Sequence, residues 1–263
     1  MPPTPAPTAE LPPLPTELAH VPVQRLHERL GLATPLDYPQ ASLHKSLGHW
    51  NMDEDDVPIL QYLYRQLRPR RHLEFGTWIG IGTVRVLEAC NAEVWTLNLP
   101  EGETDADGKW IYSQPFARES EIPADAPRFV TRQGEVFAQT DGPGFVGQCY
   151  RERGLAHRVH QILCDSRQWD TSEYPEGFFD TVLIDGGHTT DVVLNDTRKA
   201  LPLVRPGGAI LWHDFCPDPD VRRRCSCVQG VTTAITEAWD TLSEQCADLF
   251  WIEPSWLLMG IKR

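Results

Sequence analysis

The chain has 263 residues, with 24 Lys plus Arg against 37 Asp plus Glu, a formal charge of −13. A field of that sign repels phosphate backbones and anionic lipid, so nucleic acid and membrane surfaces are poor partners. No apolar run approaches the ~20 residues that span a bilayer, and no basic segment followed by an apolar stretch opens the chain, so a soluble, cytoplasmic protein is expected.

The length predicts one large domain or one domain with appendages. Residues 1–22 hold eight prolines and two charges, Glu10 and Glu17, and predict a disordered tail. Residues 23–69 read as N-terminal helices: Val23 to Leu30, then Asp53 to Leu67, where Ile59, Leu60, Leu63 and Leu67 recur at helical spacing behind Asp53, Glu54, Asp55 and Asp56. From residue 70 to 263, short apolar runs alternate with helical segments. The strands expected are His72 to Phe75, Glu93 to Leu99, Arg158 to Leu163, Phe178 to Ile184 and Ala209 to Trp212; the helices are Thr83 to Cys90, Asp191 to Val204 and Thr232 to Leu242. Such alternation specifies an α/β fold with a parallel sheet and helices on both faces. Leu249 to Glu253 and Trp256 to Ile261, split by Pro254 and Ser255, predict a closing antiparallel hairpin and bring the strand count to seven. Residues 100–147 match no element; their Gly, Pro and acidic content with Trp110, Tyr112, Phe116, Phe129 and Phe137 suggests a partly ordered substrate cap.

Leu73 to Thr83 reads L-E-F-G-T-W-I-G-I-G-T, a strand running through glycines into a helix. Such a turn offers backbone N–H groups and a helix N-terminus to a polar ligand group. The spacing of Gly76, Gly80 and Gly82 is not the G-x-G-x-x-G of dinucleotide folds, and no Walker lysine follows, which opposes a dehydrogenase or an NTPase. The segment resembles the first motif of class I S-adenosylmethionine-dependent methyltransferases. That resemblance implies a Rossmann-like sheet and places Glu74 and the loop of Gly76, Thr77, Trp78 and Gly80 around the ligand's amino acid end. It assigns Asn98, where the family usually has Asp or Glu, to the ribose hydroxyls, and Asp165 with Ser166 to the adenine. A carboxylate such as Glu74 in a strand destined for burial needs a partner, and a ligand would supply one.

Polar residues also follow the last two parallel strands: Asp185-Gly186-Gly187-His188 and His213-Asp214. Ligands in open α/β sheets bind beyond the strands' carboxyl ends. An alcohol or phenol that accepts a methyl group needs a general base, a divalent cation, or both. The arrangement resembles metal-dependent O-methyltransferases of the catechol and macrolide-sugar type. Their pattern implies Asp185, His213 and Asp214 as metal ligands, Asp185 also beside the cofactor, and His188 as base. His213 is a nitrogen ligand where hard Mg²⁺ prefers oxygen, so three readings stand: a substrate contact, a transition ion such as Mn²⁺, Fe²⁺ or Zn²⁺, or no metal at all. Each residue also has a structural reading, Asp185 as a helix cap and His188, His213, Asp214 and Asp165 as turn residues.

The seven cysteines are odd in number and irregularly spaced, and read as reduced thiols. Cys216, Cys225 and Cys227 lack the second pair that a zinc site requires. Arg222-Arg223-Arg224 is an exposed charge run or a contact for an anionic substrate or partner. The resulting expectation is an enzyme that moves a methyl group from S-adenosylmethionine to a small-molecule hydroxyl, of a sugar or natural product, with a homo-oligomer left open. The competing reading is a ligand-binding scaffold of the same fold.

Overall fold

The computed structural model describes residues 11–99 and 146–263. Strand β1 (Ala19–Pro22) leads into the short helices α1 (Leu26–Arg29) and α2 (Gln40–Leu43), then α3 (Val57–Leu67), β2 (Arg71–Phe75), α4 (Ile81–Ala89) and β3 (Glu93–Asn98). After residues 100–145 come α5 (Gln148–Glu152), β4 (Val159–Leu163), β5 (Phe179–Ile184), α6 (Thr190–Leu203) and β6 (Val204–Trp212). Helices α7 (Pro219–Arg224), α8 (Ser226–Glu237) and α9 (Trp239–Gln245) precede the closing strands β7 (Cys246–Glu253) and β8 (Leu258–Lys262).

The strands form one sheet in the order β1-β7-β8-β6-β5-β2-β3-β4. Strand β8 pairs antiparallel with both neighbours, and every other pairing is parallel. The sheet thus has eight strands where the sequence predicts seven. The added one corrects the expected tail: Ala19–Pro22 pairs with Phe250–Glu253, with Val21 buried opposite Ile252. Proline is tolerated there because β1 is an edge strand and Pro22 ends it. The hydrophobic spacing of Asp53 to Leu67 gives two pieces, a π-helical turn at Met52–Asp56 and then α3. The stretch read as Thr232 to Leu242 likewise divides into α8 and α9. The cap expected over residues 100–147 lies outside the described residues except for Val146 and Gly147.

Strand alternation sorts the core onto two faces. Leu73 and Phe75 of β2, Val182 and Ile184 of β5, and Ile210 and Trp212 of β6 pack with Val193 and Ala200 of α6 and Val231 of α8. Leu183 and Leu211 point the other way, against Ile59, Leu60 and Leu63 of α3 and Val84 and Val86 of α4. Helix α3 tolerates Pro58 in its first turn and stops at Arg68, left-handed at φ 47°, just before Pro69. Glu74 of β2 therefore faces α4 from inside the sheet.

The chain runs outward from β2 through β3 to β4, then crosses back to β5 and β6 on the other side. This reversal opens a crevice at the carboxyl ends of β2 and β5, the place where such sheets bind ligands. One arginine secures the opposite pole: Arg158 donates to the carbonyls of Leu87, Cys90 and Ala92, at 3.0, 2.7 and 2.8 Å, satisfying the end of α4 and the turn into β3. We expect Arg158→Met to destabilise the chain by about 2–4 kcal/mol, because several buried carbonyls lose their donors at once. Denaturant unfolding measures it, and a loss below about 0.5 kcal/mol would show those carbonyls to be solvated.

Candidate active site

Gly76 follows β2 directly, with φ at +100°. A Cβ at this position would lie 2.0 Å from the Asp185 carbonyl oxygen, so only glycine lets the two loops touch. Backbone bonds tie the strand ends together: Gly76 and Thr77 N–H both donate to Leu97 O at 2.9 Å, Asp185 N–H to Phe75 O at 2.9 Å and His213 N–H to Ile184 O at 3.1 Å. The glycine loop, the Asp185 loop and the His213-Asp214 pair thereby share one edge.

The residues assigned to the methyl donor have distinct surroundings. Trp78 is left-handed at φ 46° and 38% exposed, and its N–H donates to Asn98 Oδ1 at 2.9 Å. Asn98 Nδ2 donates to Leu99 O at 2.8 Å, so its amide braces the loop. Thr77 is buried, its hydroxyl 2.7 Å from that of Thr96 and accepting from Gln161 at 2.9 Å. Gly80, at φ +89°, caps the start of α4 against Tyr150 and Gly147. Asp165 is engaged by its neighbour: Arg167 binds both carboxylate oxygens, at 2.6 and 3.0 Å. Ser166 gives its carbonyl to Lys199 at 2.6 Å and lies beside Asn195 of α6.

Glu74 has partners inside the protein, which revises the expectation that a ligand must supply one. Its Oε2 accepts from the Thr83 hydroxyl, in a very short bond, and from that of Thr96 at 2.9 Å. The side chain is 1% exposed. Burial raises its pKa from the ordinary 4.5 to about 8, against the lowering effect of the two threonines.

The acidic and imidazole groups converge closely. Ligand atoms of Asp185, His188 and Asp214 lie within 4.8 Å of one another, the arrangement a cation site needs. His188 Nε2 is 2.9 Å from Asp214 Oδ2 and 4.0 Å from Asp185 Oδ1. Burial disfavours charge on His188, but the carboxylates of Asp185 and Asp214 outweigh it and hold its pKa up at about 11. For the two aspartates, burial alone would raise their pKa values; the charge of His213 and the close approach of both imidazoles bring them below the usual carboxylate range. The cluster thus favours positive charge between the two carboxylates.

His213 sits differently from its expected place as a metal ligand. It is 5% exposed, with Nε2 3.2 Å from Asp56 Oδ2 and Nδ1 3.2 Å from Asp185 Oδ1 and 3.5 Å from Asp214 Oδ1. No aligned hydrogen bond reaches Nδ1 among the described residues. Burial opposes its protonation, yet Asp185 and Asp214 keep its pKa well above the ordinary value. Both imidazoles face the two aspartates, His188 from the more exposed side and His213 from the buried side.

Two contributors were hidden from sequence reasoning. Asp56 reads as a helix-start acid, yet it is fully buried against His213. Gly230 lies mid-helix in α8, where a Cβ would sit 2.0 Å from the His188 carbonyl; Thr190 Oγ1 also donates to Gly230 O at 3.3 Å. An interior helix glycine is costly without a packing reason, and that was its one signal. Farther along, Cys225 and Cys227 are free thiols with sulfurs 2.9 Å apart; among the described residues they join no group of three metal-ligating side chains.

A family model described as a methyltransferase domain matches residues 73–215, more than half of the chain. Among curated proteins, none matches this sequence. Solved structures share the fold: the SAH-bound methyltransferase PaMTH1 of Podospora anserina is 16% identical at a TM-score of 0.51, covering 86% of this chain and 83% of that one. A putative caffeoyl-CoA O-methyltransferase from Staphylococcus aureus is 14% identical at a TM-score of 0.52, covering 79% and 83%. A putative O-methyltransferase from Nostoc punctiforme is 15% identical at a TM-score of 0.51, covering 78% and 55%. The chain belongs to the methyltransferase-domain family, with the class I Rossmann-like fold. It is an S-adenosylmethionine-dependent methyltransferase.

Two substitutions check this geometry. Glu74 stabilises the fold as the neutral acid, so its contribution is complete below pH 4.5 and is lost as pH rises towards 8. Glu74→Gln is expected to flatten the fall in melting temperature over that window; an unchanged slope would show that another group titrates. Gly230→Ala would gain about 1 kcal/mol in an open helix but is expected to destabilise here, because α8 must retreat from the His188 carbonyl. Thermal unfolding gives the sign.

Proposed function

We propose that the protein transfers the methyl group of S-adenosylmethionine to a hydroxyl oxygen of a small molecule, such as a sugar or natural product. The single observation that carries this reading is the contact between the Gly76 loop and the Asp185 loop, with Asp185, His188 and Asp214 converging beside it. Methyl transfer from a sulfonium is an in-line displacement, so alignment of the acceptor and disposal of its proton are the protein's tasks.

The donor's amino acid end would lie over the loop of Gly76, Thr77, Trp78 and Gly80, its ribose at Asn98 and its adenine near Asp165 and Ser166. Asp165 would share its carboxylate with Arg167, and Glu74 would hold the loop from below. The donor set of two carboxylates and one imidazole fits a divalent cation, Mg²⁺ or a transition ion, on Asp185, His188 and Asp214. Such a cation would supply Lewis acidity towards the acceptor hydroxyl. His188 takes the imidazole place in this donor set because it groups with the two aspartates and is the more exposed of the two histidines.

His188 as general base is the second reading, favoured by its 24% exposed side chain and the Asp214 carboxylate 2.9 Å away. It requires the imidazole to give up the proton that the two aspartates hold in place. Chelation separates the two. If the trio holds a cation, EDTA abolishes transfer and Mn²⁺ or Mg²⁺ restores it; if His188 acts alone as base, EDTA has no effect.

The acceptor is a small molecule on charge grounds, since −13 overall opposes nucleic acid and anionic membrane. Among the described residues no helix is long and apolar enough to cross a membrane. Calorimetry with S-adenosylhomocysteine, followed by transfer of labelled methyl to a panel of phenolic and sugar hydroxyls, tests the proposal. His188→Ala and Asp214→Asn are expected to lower turnover at least about a hundredfold while S-adenosylhomocysteine affinity stays within a few-fold. No heat from that nucleoside at millimolar concentration with folded protein overturns it.

A further inference from the structure

We infer that Asp56, on the turn before α3, is a positioning residue of the active site: through His213 it sets the orientation of the Asp185 and Asp214 carboxylates. This rests on the reading of Asp185, His188 and Asp214 as the methyl-transfer centre.

Asp56 lies 157 positions from His213 in sequence, and its side chain is wholly buried. Its two oxygens have separate duties. Oδ1 accepts from the Trp50 indole N–H at 2.8 Å and from the backbone N–H of Trp256 at 3.1 Å, which joins the N-terminal segment to the β7–β8 turn. Oδ2 is left facing His213 Nε2 at 3.2 Å. Two neutral donors need an acceptor, which a neutral amide would supply equally well. A carboxylate in a fully buried place is costly unless something nearby uses its charge, and among the described residues the group in reach is the imidazole.

The preceding residue holds this clamp in place. Asp55 accepts from the Ser42 hydroxyl at 2.5 Å, Lys45 at 2.5 Å and the Asn51 N–H at 2.7 Å, while its carbonyl accepts from the Tyr38 hydroxyl at 2.7 Å. The turn at residues 52–56 is therefore tied to the N-terminal segment through Asp55 before it reaches the sheet. With Nε2 committed to Asp56, the His213 ring can only present Nδ1 to the centre, where it stands 3.2 Å from Asp185 Oδ1 and 3.5 Å from Asp214 Oδ1. One imidazole edge thus spaces two carboxylates that would otherwise repel each other or swing apart. The N-terminal segment is part of the active site through this contact.

Asp56→Asn separates this role from a structural one. The amide oxygen stays with Trp50 and Trp256, so the NH2 group is turned to His213 Nε2, donor against donor. The His213 Nε2–H proton resonance, assigned by its loss in His213→Asn, is expected to be slow to exchange in the wild type and absent or shifted in Asp56→Asn, while the Trp50 indole resonance remains. Affinity for Mn²⁺, measured by calorimetry on the full chain, is expected to fall about tenfold, as for other residues that orient ligands. The double variant Asp56→Asn/His213→Asn is expected to lose no more than His213→Asn alone. An unchanged Nε2–H resonance, or losses that simply add, overturns the inference.

If Asp56→Asn does not fold, His213→Gln, which can still donate to Asp56, is expected to keep Mn²⁺ affinity within a few-fold, and His213→Phe to lose it. Equal affinities in those two variants overturn the inference. Absence of Mn²⁺ binding in the wild type counts instead against the cation site, and the Nε2–H resonance then decides the placement of Asp56.

Discussion

Two carboxylates at the ends of neighbouring parallel strands are the constraint around which this molecule is arranged. Asp185 and Asp214 leave β5 and β6 at the same sheet edge, largely buried, where their negative charges would repel each other strongly. His188 on the open side and His213 on the closed side supply the compensating positive charge. His188 reaches its place because Gly230 lets α8 press against its backbone, and His213 because Asp56 receives its far nitrogen. Removing either support would leave buried charge without its partner.

The same edge carries the glycine loop. Gly76 brings its backbone against Asp185, so the surface proposed to receive the methyl donor and the groups that would meet the acceptor are held by one close contact. Beneath it, Glu74, Thr83 and Thr96 form a closed hydrogen-bonded set linking β2, α4 and β3. The loop above is therefore seated on a base held by two hydrogen bonds to Glu74 Oε2. A ligand meets a shape that exists before it arrives, and preorganised positioning is what an in-line displacement requires of its protein.

Family membership narrows the chemistry to methyl transfer without naming the acceptor. On the proposed reading, specificity resides in whatever surrounds the more exposed side of His188. The N-terminal segment contributes from the closed side, through Trp50, Asp55 and Asp56. Its role there is to brace the centre, which explains why a pair of adjacent acids is buried so far from the residues expected to do the chemistry.

Local chemistry made much of this legible in the sequence. The alternation of Leu73 to Phe75, Phe179 to Ile184 and Ala209 to Trp212 with amphipathic helices specifies a parallel sheet, and the order of strands places Gly76, Asp185, His188, His213 and Asp214 at its carboxyl edge. The turn at Pro254 and Ser255 specifies the hairpin. What stayed hidden depends on partners distant in sequence. Ala19 to Pro22 becomes a strand because β7 offers it an edge, which proline content conceals. Asp56 looks like any acid at a helix start until β6 and the last hairpin close around it, and the pairing of Asp165 with Arg167 depends on how the turn after β4 folds. Which of two neighbouring histidines faces the open site and which is locked behind it follows from the direction each ring is held. That direction is decided by side chains brought together only when the sheet and the N-terminal segment pack, because a hydrogen bond depends on distance and angle and not on chain position.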